Sequence, residues 1–234
     1  MALATDLIKE VAEFFATKWV TRNGQVVPEA TNVTLGNDAV KLNGVVLYAD
    51  LAESTGLVFN YSSEIAAEVY KSYLHCASKI IKLNGGIITA FDGDRVMAVY
   101  IGDNKETRAM RTALAINHAV YFIINEALTK EYGDKVKSLF IRQSVGIDVS
   151  DLFIAKTGVR GSNDLVWVGN AANNAAKLCG QRTGDYASWI TKAVYDAADN
   201  TVKTANRGNG VENMWEQTVW DSKYIYRSSW YWQQ

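Results

Sequence analysis

The sequence predicts an α+β domain in which one sheet carries helices on one face, and three observations predict it. Short apolar runs of strand length end in aspartates or turn residues, as Val45-Val46-Leu47-Tyr48-Ala49 ends at Asp50. Between them stand longer stretches whose apolar residues recur at 3, 4 and 7 spacing, the period of a helix with one buried face. The resulting order is strand, helix, hairpin, helix, hairpin, strand, helix, strand, which a single sheet with helices packed on one face satisfies.

Residues 4–19 are the first predicted helix, with Leu7, Ile8, Val11, Phe14 and Phe15 on one face. A turn-rich stretch follows through Asn23-Gly24 and Gly36-Asn37, and it holds the only proline, Pro28. The chain therefore divides into an N-terminal helical and turn extension, residues 1–40, and a main domain, residues 41–234. The apolar run 45–49 is a buried strand. Residues 62–84 have helical period, with Ser62 or Ser63 as N-cap and Gly85-Gly86 as the stop. Residues 87–91 and 96–100 are two strands of a hairpin around Asp92-Gly93-Asp94. The Ala-rich stretch 105–131 is helical. Two strands follow at about 138–148 and 151–156. A short strand at 165–168 then leads through Gly169-Asn170 into a helix from 171 to about 179. In the tail, Tyr224, Tyr226, Trp230 and Trp232 alternate as strand residues do, which places one aromatic face on the core or on a partner copy.

Composition narrows the function. Of 234 residues 48% are apolar and 21% charged, the balance of a folded globular chain. A formal net charge of −1 asks for no nucleic-acid or anionic-membrane surface, so neither is expected as a partner. The two cysteines, Cys76 and Cys179, suit neither a zinc site nor a disulfide scaffold. Asp6, Lys9 and Glu10 stand where a signal peptide would be apolar, and no run approaches the ~18 apolar residues of a membrane span. A soluble, cytoplasmic protein is expected.

Asp50 and Asp94 carry the chemistry. One ends an apolar strand and the other sits in a tight hairpin between two apolar strands. If those strands are neighbours the carboxylates converge, and two converging carboxylates repel unless a cation lies between them. Such a pair suits hard divalent ions, Mg²⁺ or Mn²⁺. Taken singly, each aspartate is an ordinary turn residue; the surroundings give the pair its weight. After Asp50 comes Leu51-Ala52-Glu53-Ser54-Thr55-Gly56, small and polar and ahead of a helix, where backbone N–H groups suit a polyphosphate. His75 and His118 fall mid-helix and read as packing or surface residues.

Four segments in order, covering roughly residues 44–180, resemble the class III nucleotide cyclases. VVLYADLAESTGL looks like the family's first metal segment, and NGGIITAFDGDRVMAVY like the second, with its Gly-Asp in a hairpin. SVGIDVSDLFIAKTGVRG is similar to the hairpin that follows, and WVGNAANNAAKL to the segment G-[ND]-x-x-N-x-A-[AS]-[RK]-[LM]. The resemblance implies an α+β class III cyclase catalytic domain: a ferredoxin-like βαββαβ core with extra C-terminal strands, assembled as an antiparallel homodimer. It implies two divalent cations per site, Mn²⁺ or Mg²⁺, on Asp50 and Asp94, with the Leu51 carbonyl as a further contact. Asn173 matches the asparagine that orients the ribose. Lys177 stands where the family places a transition-state arginine; lysine keeps the charge and loses the fork. Asn173 and Lys177 are four apart and share a helix face. In the family each site is split, one subunit holding the metals and the other giving the asparagine and the basic residue.

Two departures bear on the base. Purine cyclases of the family read the base from the positions of Ala90 and Val166, and neither side chain here forms a hydrogen bond. An unpaired purine edge costs about 1–3 kcal/mol per group. Tyr48 replaces the usual phenylalanine and faces the same way as Asp50; it reads either as a phenol that narrows the pocket toward a pyrimidine or as a core tyrosine with its hydroxyl at the rim. These departures resemble the pyrimidine cyclases of bacterial Pycsar antiphage systems, whose cyclic nucleotide is read by a separate effector. UTP is favoured by overall similarity, with Ala52, Glu53, Ser54 and Thr55 beside the phosphates. A cytidylate cyclase, a purine cyclase with unusual base contacts and an inactive nucleotide-binding domain are the alternatives.

Overall fold

The computed structural model describes residues 2–206, 208 and 210–233. Its helices are α1 (Ala2–Ala16), α2 (Ser54–Asn60), α3 (Ser63–Leu83), α4 (Lys105–His118), α5 (Asn125–Tyr132), α6 (Asn170–Cys179) and α7 (Lys192–Ala197). Its strands are β1 (Val20–Asn23), β2 (Asp38–Leu51), β3 (Ile87–Asp92), β4 (Arg95–Tyr100), β5 (Gln143–Val159), β6 (Ser162–Val168) and β7 (Ser188–Thr191), then β8 (Thr204–Asn206), β9 (Val211–Asn213), β10 (Glu216–Trp220) and β11 (Lys223–Ser228). The chain forms two compact units, one made of the residues up to Asn43 with Asp151–Asn170, the other of Gly44–Ser150 with the residues from Ala171 onward. No helix among the described residues is long and apolar enough to cross a membrane.

In the first unit α1 forms where its spacing predicts, yet none of its residues is buried. The turn-rich stretch conceals a strand: β1 pairs in parallel with the start of β2, Val20 facing Asp38 and Asn23 facing Lys41. The later part of β5 pairs antiparallel with β6, from Phe153 opposite Val168 to Val159 opposite Ser162. The edge of the Trp19 ring packs on Phe153, with centroids 4.9 Å apart.

The second unit positions the site. Its strands run in the order β10-β11-β7-β5-β2-β4-β3. Within it, β5-β2-β4-β3 is the 4-1-3-2 arrangement of a βαββαβ unit, the ferredoxin-like core that the resemblance implies. Leu47, Ala49, Val96 and Ala98 point to one face, where they join Tyr73, Ala77 and Ile81 of α3, Met110 and Leu114 of α4 and Val194 of α7 in the main core. Tyr48 and Asp50 alternate with these residues and so point to the opposite face.

That opposite face is not bare, which corrects the expectation of helices on one side only. Leu178 of α6 packs with Trp189 and Ile225, while Ile190, next to Trp189 on β7, belongs to the main core. The helix lies close because Gly146 has no side chain: a Cβ there would stand 2.1 Å from the Ala175 carbonyl oxygen. α6 therefore shares a sheet face with Asp50.

Three other expectations change. The pair of strands at 138–148 and 151–156 is one strand, β5, which runs on through Ser150-Asp151. It does so because its two halves have different partners: Val145–Ile147 pair in parallel with β7, and Phe153–Val159 pair with β6. The long helix 105–131 is interrupted by a π-helical stretch, Ala119–Ile124. The Asn125 side chain closes it, donating to the Val120 carbonyl (2.8 Å) and the Ile141 carbonyl (2.9 Å). Trp230 and Trp232 lie beyond the end of β11, so the alternation holds only for Tyr224 and Tyr226. The tail instead runs beside α4, where Asn117 donates to the carbonyls of Ser229 and Trp230 and the Leu114 carbonyl accepts from Trp232.

Candidate active site

β2 and β4 are antiparallel neighbours with Asp50 opposite Arg95, and Asp94 is the residue before Arg95 in the two-residue turn Gly93-Asp94. Neighbouring strands therefore bring the two aspartates together. Their proximity is felt electrostatically. Burial raises the Asp50 carboxyl above the usual carboxylate range and Asp94 raises it further, while Arg182 and Arg95 pull it back. Asp94 Oδ2 is buried and has no hydrogen-bond partner among the described residues. A buried, unpaired carboxylate oxygen is costly, and a cation would relieve it.

The donor set fits hard divalent ions: two carboxylates and the carbonyl of Leu51, all oxygen. Among the described residues no three His, Cys, Asp or Glu side chains converge, so remaining positions would fall to water and phosphate oxygens. Cys179 is near but its thiol is pushed up to about 12, by burial first and Asp50 second, and stays protonated. The buried Tyr73 phenol, on α3, is raised by burial and likewise remains neutral.

Tyr48, Met97 and Ala90 form one row across β2, β4 and β3, and Asp50, Arg95 and Asp92 form the next. Arg95 donates to Asp92 at 2.9 Å and lies 5.7 Å from the centre of the Tyr48 ring. Tyr48 is half-buried and Ala90 half-exposed on that row. Val166 stands on β6 in the first unit, opposite Ala155.

The loop after Asp50 does not offer its amides uniformly. The Ala52 N–H already donates to the Arg142 carbonyl at 2.9 Å. Glu53 takes a left-handed conformation, φ 59°, and leads into α2. The Ser54 carbonyl accepts from the Tyr70 hydroxyl at 3.5 Å, and Thr55 is exposed. A polar cleft of about 820 Å³ opens here, lined by Ala52, Glu53 and Ser54 and by two cations, Lys135 and Arg142.

Asn173 and Lys177 are both exposed on α6, and neither side chain has a hydrogen-bond or ionic partner among the described residues. The neighbouring Asn174 differs: it donates to Asp148 at 2.9 Å and is structural. So the structure brings Asp50, Leu51, Asp94 and Tyr48 together, and leaves Asn173 and Lys177 pointing outward.

Sequence reasoning missed Arg182. It follows α6 and turns back to Asp50, donating from Nη2 to Asp50 Oδ2 at 3.2 Å and to the Leu51 carbonyl at 3.4 Å. The only signal for it was a basic residue just past a helix C-terminus, a place where such side chains bond the last carbonyls.

Comparison with known proteins gives the geometry its context. No protein-family model matches the chain. A protein named uridylate cyclase from Xanthomonas perforans is 44% identical over 99% of each chain, and another of that name from Burkholderia cepacia matches equally. A third, from Rhodovulum sp. (strain MB263), is 36% identical over 99% of this chain and 98% of its own. Among solved structures, the guanylyl cyclase Cya2 superposes with a TM-score of 0.65 at 16% identity, covering 82% of this chain and 94% of its own. The adenylyl cyclase CyaB from P. aeruginosa does so at 0.59 and 19%, covering 81% and 95%. The fold is that of class III cyclase catalytic domains.

Proposed function

The chain belongs to the uridylate cyclase family, and from that premise we propose that it converts UTP to 3′,5′-cyclic UMP and diphosphate. The observation that carries this reading is the closeness of Asp50, at the end of β2, and Asp94, in the turn before β4, with a buried Asp94 oxygen unpaired among the described residues, in a chain 44% identical to uridylate cyclases over its length.

In this reading Asp50, Asp94 and the Leu51 carbonyl hold two divalent cations, Mn²⁺ or Mg²⁺. Bound there, the cations supply the charge that acidifies the ribose 3′-hydroxyl and neutralises the leaving diphosphate. The chain's own residues position the rest. Lys135 and Arg142, which line the same cleft as Ala52, Glu53 and Ser54, offer positive charge to the triphosphate, and Thr55, the next residue, is exposed. Tyr48, in one row with Met97 and Ala90, meets the base; its ring narrows the pocket, and the absence of a hydrogen-bonding side chain at Ala90 leaves a purine edge unread. Asn173 orients the ribose for attack of the 3′-oxygen on the α-phosphorus, and Lys177 offsets the charge that develops there. Both are exposed and unpartnered among the described residues, which supports an antiparallel homodimer in which each copy lends them to the other's carboxylates. As in the Pycsar systems that the sequence resembles, the product is a signal read by a separate effector in antiphage defence.

The test is incubation of the purified protein with each of the four NTPs and Mn²⁺, with mass identification of products. Cyclic UMP as the dominant product is expected. Cyclic CMP or a cyclic purine nucleotide in its place would refute the substrate assignment, and no cyclic product at all would refute the activity.

A further inference from the structure

The oxygens that the metal reading assigns to a cation already hold one that belongs to the chain. Arg182 Nη2 donates both to Asp50 Oδ2 (3.2 Å) and to the Leu51 carbonyl (3.4 Å). Its other terminal nitrogen donates to the Gln181 carbonyl (3.0 Å) and to the carbonyl of Cys179, the last residue of α6. The guanidinium is thus anchored to the end of the helix that carries Asn173 and Lys177. The nearby Arg95 does not compete for the place, because it bonds Asp92 and lies by Tyr48.

We propose that Arg182 is a built-in counter-cation, which occupies the Asp50 and Leu51 oxygens in the metal-free protein and is displaced when divalent ions bind. The inference rests on the metal reading of Asp50 and Asp94 given above. Three observations argue for displacement rather than a fixed peg. The contacts of 3.2 and 3.4 Å are longer than the ~2.8 Å of a strong charge-assisted bond. The pair is partly exposed, 34% for Arg182 and 22% for Asp50, so solvent screens it and it holds only modestly. One monovalent group also leaves the second carboxylate unserved, since Asp94 Oδ2 has no partner among the described residues. The side chain has somewhere to go: it lines a cavity of about 390 Å³ with Ala52, Glu53 and Arg142. Once displaced, the guanidinium releases two of the contacts that tie the α6 terminus to β2, so metal binding is coupled to the helix bearing Asn173 and Lys177.

The experiment is Mn²⁺ titration without nucleotide, followed by the electron paramagnetic resonance of free Mn²⁺, on the wild type, Arg182→Gln, Arg182→Lys and Asp50→Asn. Removing the competitor should tighten Mn²⁺ binding by about two- to tenfold in Arg182→Gln. Arg182→Lys, with the charge but not the fork, should fall between it and the wild type. Asp50→Asn should bind weakly. Unchanged or weaker binding by Arg182→Gln while Asp50→Asn loses binding overturns the role of Arg182 and leaves the metal reading standing. Equal Mn²⁺ binding by Asp50→Asn and the wild type overturns both. Should the Arg182 variants fail to fold, ¹⁵N NMR of the wild-type guanidinium decides: its Nη2 protons should be protected without Mg²⁺ and exchange freely once Mg²⁺ saturates the site. Protection unchanged at saturation refutes displacement.

Discussion

Replacing Asp50 or Asp94 with asparagine is expected to lower cyclic UMP formation by at least about 10³-fold, because the loss of a metal-held charge removes several kcal/mol of transition-state stabilisation. The same change should not harm the fold. Burial and Asp94 raise the Asp50 carboxyl, so ionised Asp50 costs the metal-free protein stability. The sign follows from proton counting: between the ordinary value of 3.8 and the raised native one, the folded state keeps a proton that the unfolded state has lost. Metal-free wild-type stability therefore falls as pH rises through that window. Asp50→Asn has no such slope, and at neutral pH its melting temperature in EDTA should equal or exceed the wild type's. Thermal melts across pH 3–7 with EDTA, alongside product assays, check both halves. Full turnover by both variants would remove the metal assignment. A variant that is inactive and unfolded would place Asp50 in the scaffold instead.

The second large effect concerns Lys177. Lys177→Ala alone should be nearly inactive, since the charge building on the α-phosphate loses its counter-ion. Mixed with Asp50→Asn under conditions that exchange subunits, it should regain activity. In a two-fold symmetric dimer with split sites, the heterodimer has one site with both defects and one with neither. Random exchange makes half the dimers mixed, so about a quarter of wild-type activity should return. The resemblance implies the split, and the exposure of Asn173 and Lys177, unpartnered among the described residues, supports it. Verified heterodimers with no recovery would contradict it, as would Lys177→Ala with undiminished turnover.

What could be read from the sequence was whatever depends on local pattern. Asp50 at a strand end and Asp94 in a hairpin turn are local facts, and pairing of the two strands was enough to make them converge. Tyr48 faces the same side as Asp50 because strand side chains alternate, and that too is local. The missed features are settled by distant partners. β5 continues through Ser150-Asp151 because β7 and β6 wait for its two halves, whereas serine and aspartate in sequence suggest a turn. β7 is four residues long, too short for a pattern to mark it; only its place between β5 and β11 makes it a strand. α6 crosses to the other face because Gly146 on a separate strand lets it approach. Arg182 reaches Asp50 from 132 positions away, a contact no spacing rule encodes.

One measurement tests the centre of the account most directly. A crystal soaked with Mn²⁺ and a non-hydrolysable UTP analogue, with diffraction collected at the manganese edge, locates the cations without reference to activity. The account requires anomalous peaks within coordination distance of Asp50, Asp94 and the Leu51 carbonyl, with the partner's Lys177 and Asn173 closing over the nucleotide. Manganese found elsewhere, or a nucleotide enclosed wholly by one copy of the chain, would contradict it.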